Sequence, residues 1–165
     1  MAKIKDSGNR TTFDSGAVRD IQEGKGRADL LPLDVCLDML NYEWDICDFD
    51  KFVLEFIELF KTTGDYINLI KAAKLFSQEE FPDLYTALIE YSIHLEDGAK
   101  KYGDRNWQKG IPADRYVDSA TRHYLKHMRG DRDERHDRAC LWNLLCGAWT
   151  VKHIPTLNVY THKEV

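Results

Sequence analysis

The apolar residues of this chain recur mostly three or four positions apart, the spacing that places them on one face of an α-helix. This periodicity predicts six helices, over 33–42, 50–62, 65–76, 82 to 98 or 101, 113–129 and 133–152. We expect Asp50 to cap the second helix, and Gly64 and Gly130 to end the second and fifth helices. The predicted fold class is therefore all-α, a helical bundle.

The two ends of the chain lack this periodicity. Residues 1–32 are polar and contain four glycines, so we expect an irregular N-terminal arm with a short turn of helix near 17–22. Leu30 and Leu31 are the apolar residues by which this arm would dock on the body. Near the other end, residues 156–160 are compatible with a short strand.

Charge is distributed unevenly, and this narrows the functional classes. The chain has 165 residues and a formal net charge of −5, which argues against direct binding of DNA. Residues 33–92 are strongly acidic, whereas residues 93–138 mix both signs densely. Such a mixture suits a site that binds a polyanion through metal ions, and it equally suits a solvated helix face rich in ion pairs.

The sequence also predicts the compartment. The longest strongly apolar stretch is 140–149, which is too short to cross a membrane. The N-terminus lacks the apolar core of a signal peptide, so we expect a cytoplasmic protein. The four cysteines form no close pair, and we expect them to be reduced thiols in or near the core.

Carboxylates cluster where the sixth helix is predicted to begin. Glu134 and Asp137 are three residues apart, which would place both on one helical face, with Asp133 nearby. Oxygen ligands in such a group suit Mg²⁺ or Mn²⁺, although acidic residues in a first turn also serve as helix caps. On the fifth helix, His123 and His127 have the spacing of zinc ligands, but a third strong ligand is missing.

A second group of residues has the chemistry of a nucleotide pocket. Asn106 and Trp107 precede the fifth helix and follow Lys100 and Lys101, so stacking, amide hydrogen bonds and phosphate charge occur together. Trp107 is equally compatible with a hydrophobic plug under a loop. In the arm, the run Gly24-Lys25-Gly26-Arg27 offers backbone amides and two cations to phosphates, without being a Walker motif.

Four segments with recognisable motifs follow one another along the chain. They are Phe13-Asp14-Ser15-Gly16-Ala17-Val18-Arg19-Asp20 with Glu23-Gly24-Lys25; Glu96-Asp97-Gly98-Ala99-Lys100-Lys101-Tyr102-Gly103-Asp104-Arg105-Asn106-Trp107; Asp118-Ser119-Ala120-Thr121-Arg122-His123; and Asp133-Glu134-Arg135-His136 followed by Trp142-Asn143. Together they resemble the N-terminal family of phage and bacterial dATP/dGTP diphosphohydrolases, which is related in concept to the MazG-type all-α nucleotide pyrophosphohydrolases. The resemblance covers 13–32 and 84–150 and leaves 33–80 as an inserted, acidic helical segment.

The resemblance implies an enzyme that cuts between the α- and β-phosphates of a purine (deoxy)nucleoside triphosphate, with Mg²⁺ or Mn²⁺ as cofactor. The products would be the monophosphate and pyrophosphate. Carried over by position, the implied metal ligands are Glu96, Asp118, Glu134 and Asp137. The implied catalytic residues are Glu134, Glu96 and His123. The expected substrate contacts, with the two arm cations included, are Lys25, Arg27, Lys100, Lys101, Asn106, Trp107, Arg122, His136 and Asn143.

We therefore expect one domain over 1–165, with several parts. They are a polar arm 1–32, inserted helices 33–80, a catalytic helical core 81–152 and a tail 153–165. By analogy with relatives that build sites across subunits, we expect a homo-oligomer, either a dimer or a tetramer, and no membrane partner.

The sequence departs from the pattern of the family at two points. The fourth and fifth predicted helices contain no Glu-x-x-Glu ahead of Glu134-Arg135-His136-Asp137, and Ala139 stands where a second histidine is expected after His136. Two other functions therefore stay open. One is a protein that binds a nucleotide or a nucleotide-like signal without cleaving it, and the other is a phage interaction protein that uses the acidic segment 33–92.

Overall fold

A computed structural model describes residues 8–161, and six α-helices form the body of the protein. The predicted all-α class is confirmed. The helices are α1 (Leu33–Asn41), α2 (Val53–Thr63), α3 (Ile67–Glu80), α4 (Leu84–Tyr102), α5 (Ala113–Arg129) and α6 (His136–His153). Short 3₁₀ turns flank them at Ala28–Leu30, Ile46–Asp48, Asn106–Lys109 and Pro155–Leu157.

Glycines mark the ends of α2 and α5, and a side-chain hydrogen bond marks the start of α2. Gly64 and Gly130 follow these helices in the left-handed conformation, with φ of 68° and 90°, as predicted. The predicted cap at Asp50 is wrong, because α2 begins three residues later. There the Glu55 carboxylate accepts a hydrogen bond from the Phe52 N–H at 2.7 Å, which closes the first turn.

The N-terminal arm contains a β-hairpin, and the turn of helix expected near 17–22 is wrong. Strand β1 (Arg10–Thr12) pairs antiparallel with β2 (Val18–Asp20). Between the strands, Gly16 has a φ of 83° and donates its N–H to the Phe13 carbonyl at 2.8 Å. Glycine adopts this conformation without strain, so the tight turn that joins the strands forms in place of a helix.

A single hydrophobic core holds the helices together, and α6 lies at its centre. This helix contacts α1, α3, α4 and α5, and most of its residues are buried. At Gly147 of α6, an added β-carbon would lie 3.1 Å from Cβ of Tyr116 on α5, so the glycine permits close packing. Because α3 packs against α6, the segment predicted as an insertion shares this core with the rest of the chain.

The C-terminal segment and the cysteines differ in part from expectation. Pro155–Leu157 forms a 3₁₀ turn rather than a strand, because proline suits the first position of a helical turn. All four cysteines are free thiols, of which three are buried and Cys47 is exposed. Within residues 8–161, no helix has both the length and the apolar character needed to cross a membrane.

Candidate functional site

A pocket of about 470 Å³ lies between α4, α5 and α6 and the loop that joins α4 to α5. Its volume falls in the range of small-molecule binding sites. The pocket wall includes several residues expected at the site from the sequence. These are Lys101, Asn106, Trp107, His123, Glu134 and Asn143.

Three side chains with metal-ligand chemistry meet at one wall of this pocket. Nδ1 of His123 lies 3.0 Å from Nδ1 of His136. One carboxylate oxygen of Glu134 lies 3.6 Å from the first nitrogen and 3.5 Å from the second. His123 and Glu134 line the pocket, whereas the side chain of His136 is fully buried. We call these three residues the His–Glu–His cluster.

An irregular turn before α6 produces this cluster. The helix begins at His136, three residues later than predicted, and the N–H of His136 donates to the Glu134 carbonyl at 3.0 Å. Glu134 therefore does not share a helical face with Asp137, and that prediction is wrong. Asp137 instead accepts two hydrogen bonds from the Arg135 guanidinium, at 2.9 and 2.7 Å.

Asp133 orients the buried imidazole of the cluster. Its carboxylate lies 2.8 Å from Nε2 of His136, and this hydrogen bond holds the pKa of Asp133 below its usual value. Because an ionised carboxylate only accepts hydrogen bonds, Nε2 carries the proton. When the ring carries this one proton, the lone pair of Nδ1 faces His123 and Glu134.

Burial determines the charge of the histidines that line the pocket. It lowers the pKa of His123, and the neighbouring Glu134 carboxylate offsets only part of this effect. Burial likewise lowers the pKa of His94, whose ring lies 6.0 Å from that of Trp142. Both imidazoles are therefore neutral at pH 7, which leaves a lone pair on each for a proton or a cation.

Aromatic and amide groups form another part of the wall. Trp107 packs edge-on against Trp149, with ring centroids 4.9 Å apart, and its indole N–H has no acceptor within residues 8–161. It is both a buried plug and a pocket residue. Asn143 is buried and donates to the carbonyl of Ala139 at 2.8 Å. Ala139, which stands where a second histidine was expected, lines the pocket as well.

The carboxylate of Glu96 binds the N-terminal arm and does not line the pocket. One oxygen accepts the N–H of Gly24 at 2.8 Å, and the other accepts the N–H of Gly26 at 2.7 Å. Lys100, another expected site residue, lies 3.1 Å from the same carboxylate. The Gly24 amide makes the largest contribution to a lowered pKa of Glu96, so the group is ionised at neutral pH.

Other expected site residues also have partners elsewhere. Asp118 and Arg122 form an exposed ion pair at 2.6 Å and line a second pocket, between α2 and α5. In the arm, Lys25 lies 3.4 Å from Asp20. The four expected metal ligands therefore do not converge within one described chain, and Glu134 is the member that belongs to a ligand cluster.

Two arginines fasten the arm to the loop after α4. The Arg27 guanidinium lies 2.7 Å from the Asp29 carboxylate and 2.9 Å from that of Asp104. Arg105 donates to the Asp29 carbonyl at 2.7 Å and lines the pocket. Its φ of 54° is a left-handed conformation that is uncommon outside glycine. The arm therefore holds one residue of the pocket wall in position.

His94, Asp97 and Arg105 line the pocket, although none is among the catalytic, substrate-binding or metal residues expected from the sequence. For His94 and Asp97, helical periodicity could have predicted a place in the pocket wall. On α4, the expected pocket residue Lys101 shares its face with His94 and Asp97, which lie seven and four positions earlier. Glu96 is one residue away from Asp97, and this single step turns its side chain towards the arm.

Comparison with protein families gives a match over the second half of the chain. The family model described as dATP/dGTP diphosphohydrolase, N-terminal, matches residues 72–158, which is more than half of the chain. The matched range contains α4, α5, α6 and the His–Glu–His cluster, and it leaves out the arm, α1 and α2. Neither the curated proteins nor the solved structures give a match.

Proposed function

This chain belongs to the dATP/dGTP diphosphohydrolase N-terminal family, and on that premise we propose that its pocket hydrolyses a purine deoxynucleoside triphosphate to the monophosphate and pyrophosphate. The observation that carries the proposal is the composition of the pocket wall. Aromatic, amide, cationic and acidic side chains line one cavity within the range matched by the family. The aromatic and amide side chains suit the base, the cationic side chains suit the phosphates, and the acidic side chains suit the reaction with water.

Uncharged residues of the pocket wall suit the base of the nucleotide, and cationic residues suit its phosphates. The amides of Asn106 and Asn143 suit the hydrogen-bonding edge of a base, and the unpartnered indole N–H of Trp107 is a further donor. Lys101 and Arg105 bring positive charge to the same wall, which suits the phosphates. The other expected substrate contacts do not line this pocket in the described chain; they are Lys25, Arg27, Lys100, Arg122 and His136.

The reaction exchanges one phosphorus–oxygen bond for another. The oxygen of a water molecule bonds to the α-phosphorus, the bond from this phosphorus to the α–β bridging oxygen breaks, and pyrophosphate leaves. The proton of the water passes to a base, for which neutral His123 and half-exposed Glu134 are the candidates. Glu96 acts in this proposal as a positioning residue, through the arm.

A divalent cation, when bound, neutralises phosphate charge and lowers the pKa of the attacking water. Mg²⁺ is usually held by one or two carboxylates together with substrate phosphates. The carboxylates that line the pocket are Glu134 and Asp97, so the residues present fit an ion that accompanies the triphosphate. Of the four expected ligands, this proposal keeps Glu134.

A nucleotide-binding protein without turnover is the second candidate. Of the four carboxylates expected to bind metal, only Glu134 lines the pocket within the described chain. Ala139, in the same wall, cannot replace the ligand or base that a histidine would supply. Such a protein would hold the triphosphate and release no product.

A substrate screen separates these candidates. Each (deoxy)nucleoside triphosphate is incubated with Mg²⁺ or Mn²⁺, and pyrophosphate and phosphate are measured separately. We expect pyrophosphate from dATP or dGTP, and none from the Glu134→Gln variant. The matched control is Glu43→Gln, since this glutamate is exposed and lines neither of the two pockets.

The outcomes are distinct. Micromolar binding without any product would select the nucleotide-binding protein. Full activity of Glu134→Gln would refute the assignment of the base, and absence of both binding and turnover would refute the proposal.

We also expect a cytoplasmic homo-oligomer. The second pocket, between α2 and α5, exposes Leu54 and Leu125, which is compatible with a contact between subunits. Light scattering after size-exclusion chromatography distinguishes a monomer from the expected dimer or tetramer.

A further inference from the structure

The spacing of the His–Glu–His cluster matches the size of a coordinated metal ion. Its three ligand atoms are separated by 3.0, 3.5 and 3.6 Å. The point equidistant from all three, in their common plane, lies about 2.0 Å from each atom, which is the usual length of a bond from Zn²⁺ to a histidine nitrogen or a carboxylate oxygen. An ion at this point would need no movement of the three ligand atoms.

The cluster also has the outer support that metal-binding histidines normally have. Asp133 binds Nε2 of His136 at 2.8 Å, which fixes the ring and leaves Nδ1 facing the cluster. Lys126 lies 3.7 Å from the same carboxylate. This buried imidazole therefore has one nitrogen committed to a carboxylate and the other directed at two further ligands.

The position of the cluster leaves room for ligands from solvent or substrate. His123 and Glu134 line the pocket, while His136 is buried in the protein. Three protein ligands with an open side towards a cavity are the arrangement of catalytic rather than structural zinc sites.

Two neighbouring groups of ligand-type residues are weaker candidates. In the group Asp131, Asp133 and His136, the Asp131 carboxylate is already held by Arg129. In the group Asp45, Cys47 and Asp48, the buried Asp48 carboxylate is paired with a lysine at 2.9 Å. By contrast, the ion-pair contacts of Glu134 in the described structure are with histidines alone.

From this geometry we propose that His123, Glu134 and His136 bind one divalent transition-metal ion of the Zn²⁺ or Co²⁺ type in the protein alone, before any nucleotide arrives. Two imidazoles and one carboxylate favour these ions over Mg²⁺, which prefers oxygen ligands throughout. The proposal goes beyond the hydrolysis proposed above, since it concerns the protein without a substrate. With Nδ1 of His123 bound to the ion, Glu134 is the base candidate that remains, through its other carboxylate oxygen.

The test uses tag-free protein, freed of metal by chelator and dialysed, and titrated with Co²⁺ and then with Zn²⁺. We expect one Co²⁺ per chain with visible d–d absorption, and displacement of Co²⁺ by Zn²⁺. Mg²⁺ at a hundredfold higher concentration should displace neither ion. Calorimetry with Zn²⁺ gives the affinity independently of absorption.

Three variants locate the ion. His123→Ala and Glu134→Gln alter side chains that are 15% and 51% exposed, and both should weaken Zn²⁺ binding at least tenfold. Asp133→Asn, which removes the outer support, should weaken it between tenfold and a hundredfold. His153→Gln and Cys47→Ser are the controls, since these exposed residues lie outside the cluster, and their binding should be unchanged.

Several results would overturn the proposal. They are absence of stoichiometric binding, unchanged affinity in His123→Ala or Glu134→Gln, and loss of binding in Cys47→Ser. Circular dichroism of each variant confirms that lost binding is not lost folding. If no ion binds in the titration and pyrophosphate release is intact, this inference is refuted and the proposed hydrolysis stands. If an ion binds but no pyrophosphate is released, the inference stands and the proposed hydrolysis is refuted.

Discussion

Replacing Glu96 by glutamine tests whether this residue anchors the N-terminal arm. Both carboxylate oxygens accept backbone N–H groups, from Gly24 and Gly26, and Lys100 adds an ion pair. Glutamine has nearly the same shape but keeps only one oxygen. Its –NH₂ group would face one of the two amides, donor against donor, in a site where Glu96 is only 5% exposed.

The magnitude follows from the hydrogen bonds that are lost. Leaving a buried donor without an acceptor costs about 1–3 kcal/mol. If this cost falls on docking of the arm, the population with an undocked arm rises roughly 5-fold to 160-fold. The helical core should be affected much less, because Glu96 binds the arm rather than other helices.

Amide hydrogen exchange measured by NMR reports this population directly. We expect the amides of Gly24 and Gly26 to exchange faster in Glu96→Gln by the factor given above, while amides in the middle of α6 keep their protection. Glu23→Gln is the matched control, since it removes an exposed arm carboxylate that lies 3.6 Å from Lys100. Its exchange rates should change less than twofold.

The result that refutes the anchoring role is equally specific. If exchange at both glycines is unchanged in Glu96→Gln while metal affinity falls, Glu96 is a metal ligand as the family resemblance implied.

Three further predictions concern the arm and the second pocket. Gly26→Ala should displace the arm, because a β-carbon there would clash with Ser92 of α4. A β-carbon at Gly24 meets open space, so Gly24→Ala should lower stability only by the ~1–2 kcal/mol that a left-handed alanine costs. Equal losses of stability in thermal melts of the two variants would contradict this. Lowering the pH should release the arm. The Glu96 pKa is lowered by the arm, so its contribution is present above the unfolded value near 4.5 and is lost as the pH falls through the folded value. Protection of the Gly24 and Gly26 amides that stays unchanged between pH 6 and pH 3, after correction for the intrinsic pH dependence of exchange, would argue against this. Asp118→Asn should change stability by less than ~1 kcal/mol and leave pyrophosphate release intact, because it breaks only an exposed ion pair. Loss of turnover in this variant would show that Asp118 belongs to the active site.

The sequence was sufficient for features that depend on local spacing. The fifth helix was predicted at 113–129 and is observed at Ala113–Arg129, because its apolar stripe is regular and a glycine follows it. The hairpin in the arm was missed, since its strands have three residues each and its turn depends on one glycine with positive φ.

The candidate site was harder to predict, because small differences in backbone decide which side chains meet. Glu134 was expected to point with Asp137 from one helical face. The helix begins two residues after Glu134, so this carboxylate turns to His123 and His136 instead. Glu96 was expected beside it, but a single residue step on α4 directs Asp97 to the pocket and Glu96 to the arm. Contacts of this kind depend on packing between distant segments, which periodicity does not encode.

Hydrolysis in ¹⁸O-labelled water is the most direct test of the central claim that this pocket cuts a purine deoxynucleoside triphosphate at the α-phosphorus. The protein is incubated with dGTP or dATP and Mg²⁺, and the products are analysed by mass spectrometry. We predict one ¹⁸O atom in the monophosphate, unlabelled pyrophosphate, and no product from Glu134→Gln. Label in pyrophosphate or phosphate, or undiminished product from Glu134→Gln, would contradict the account.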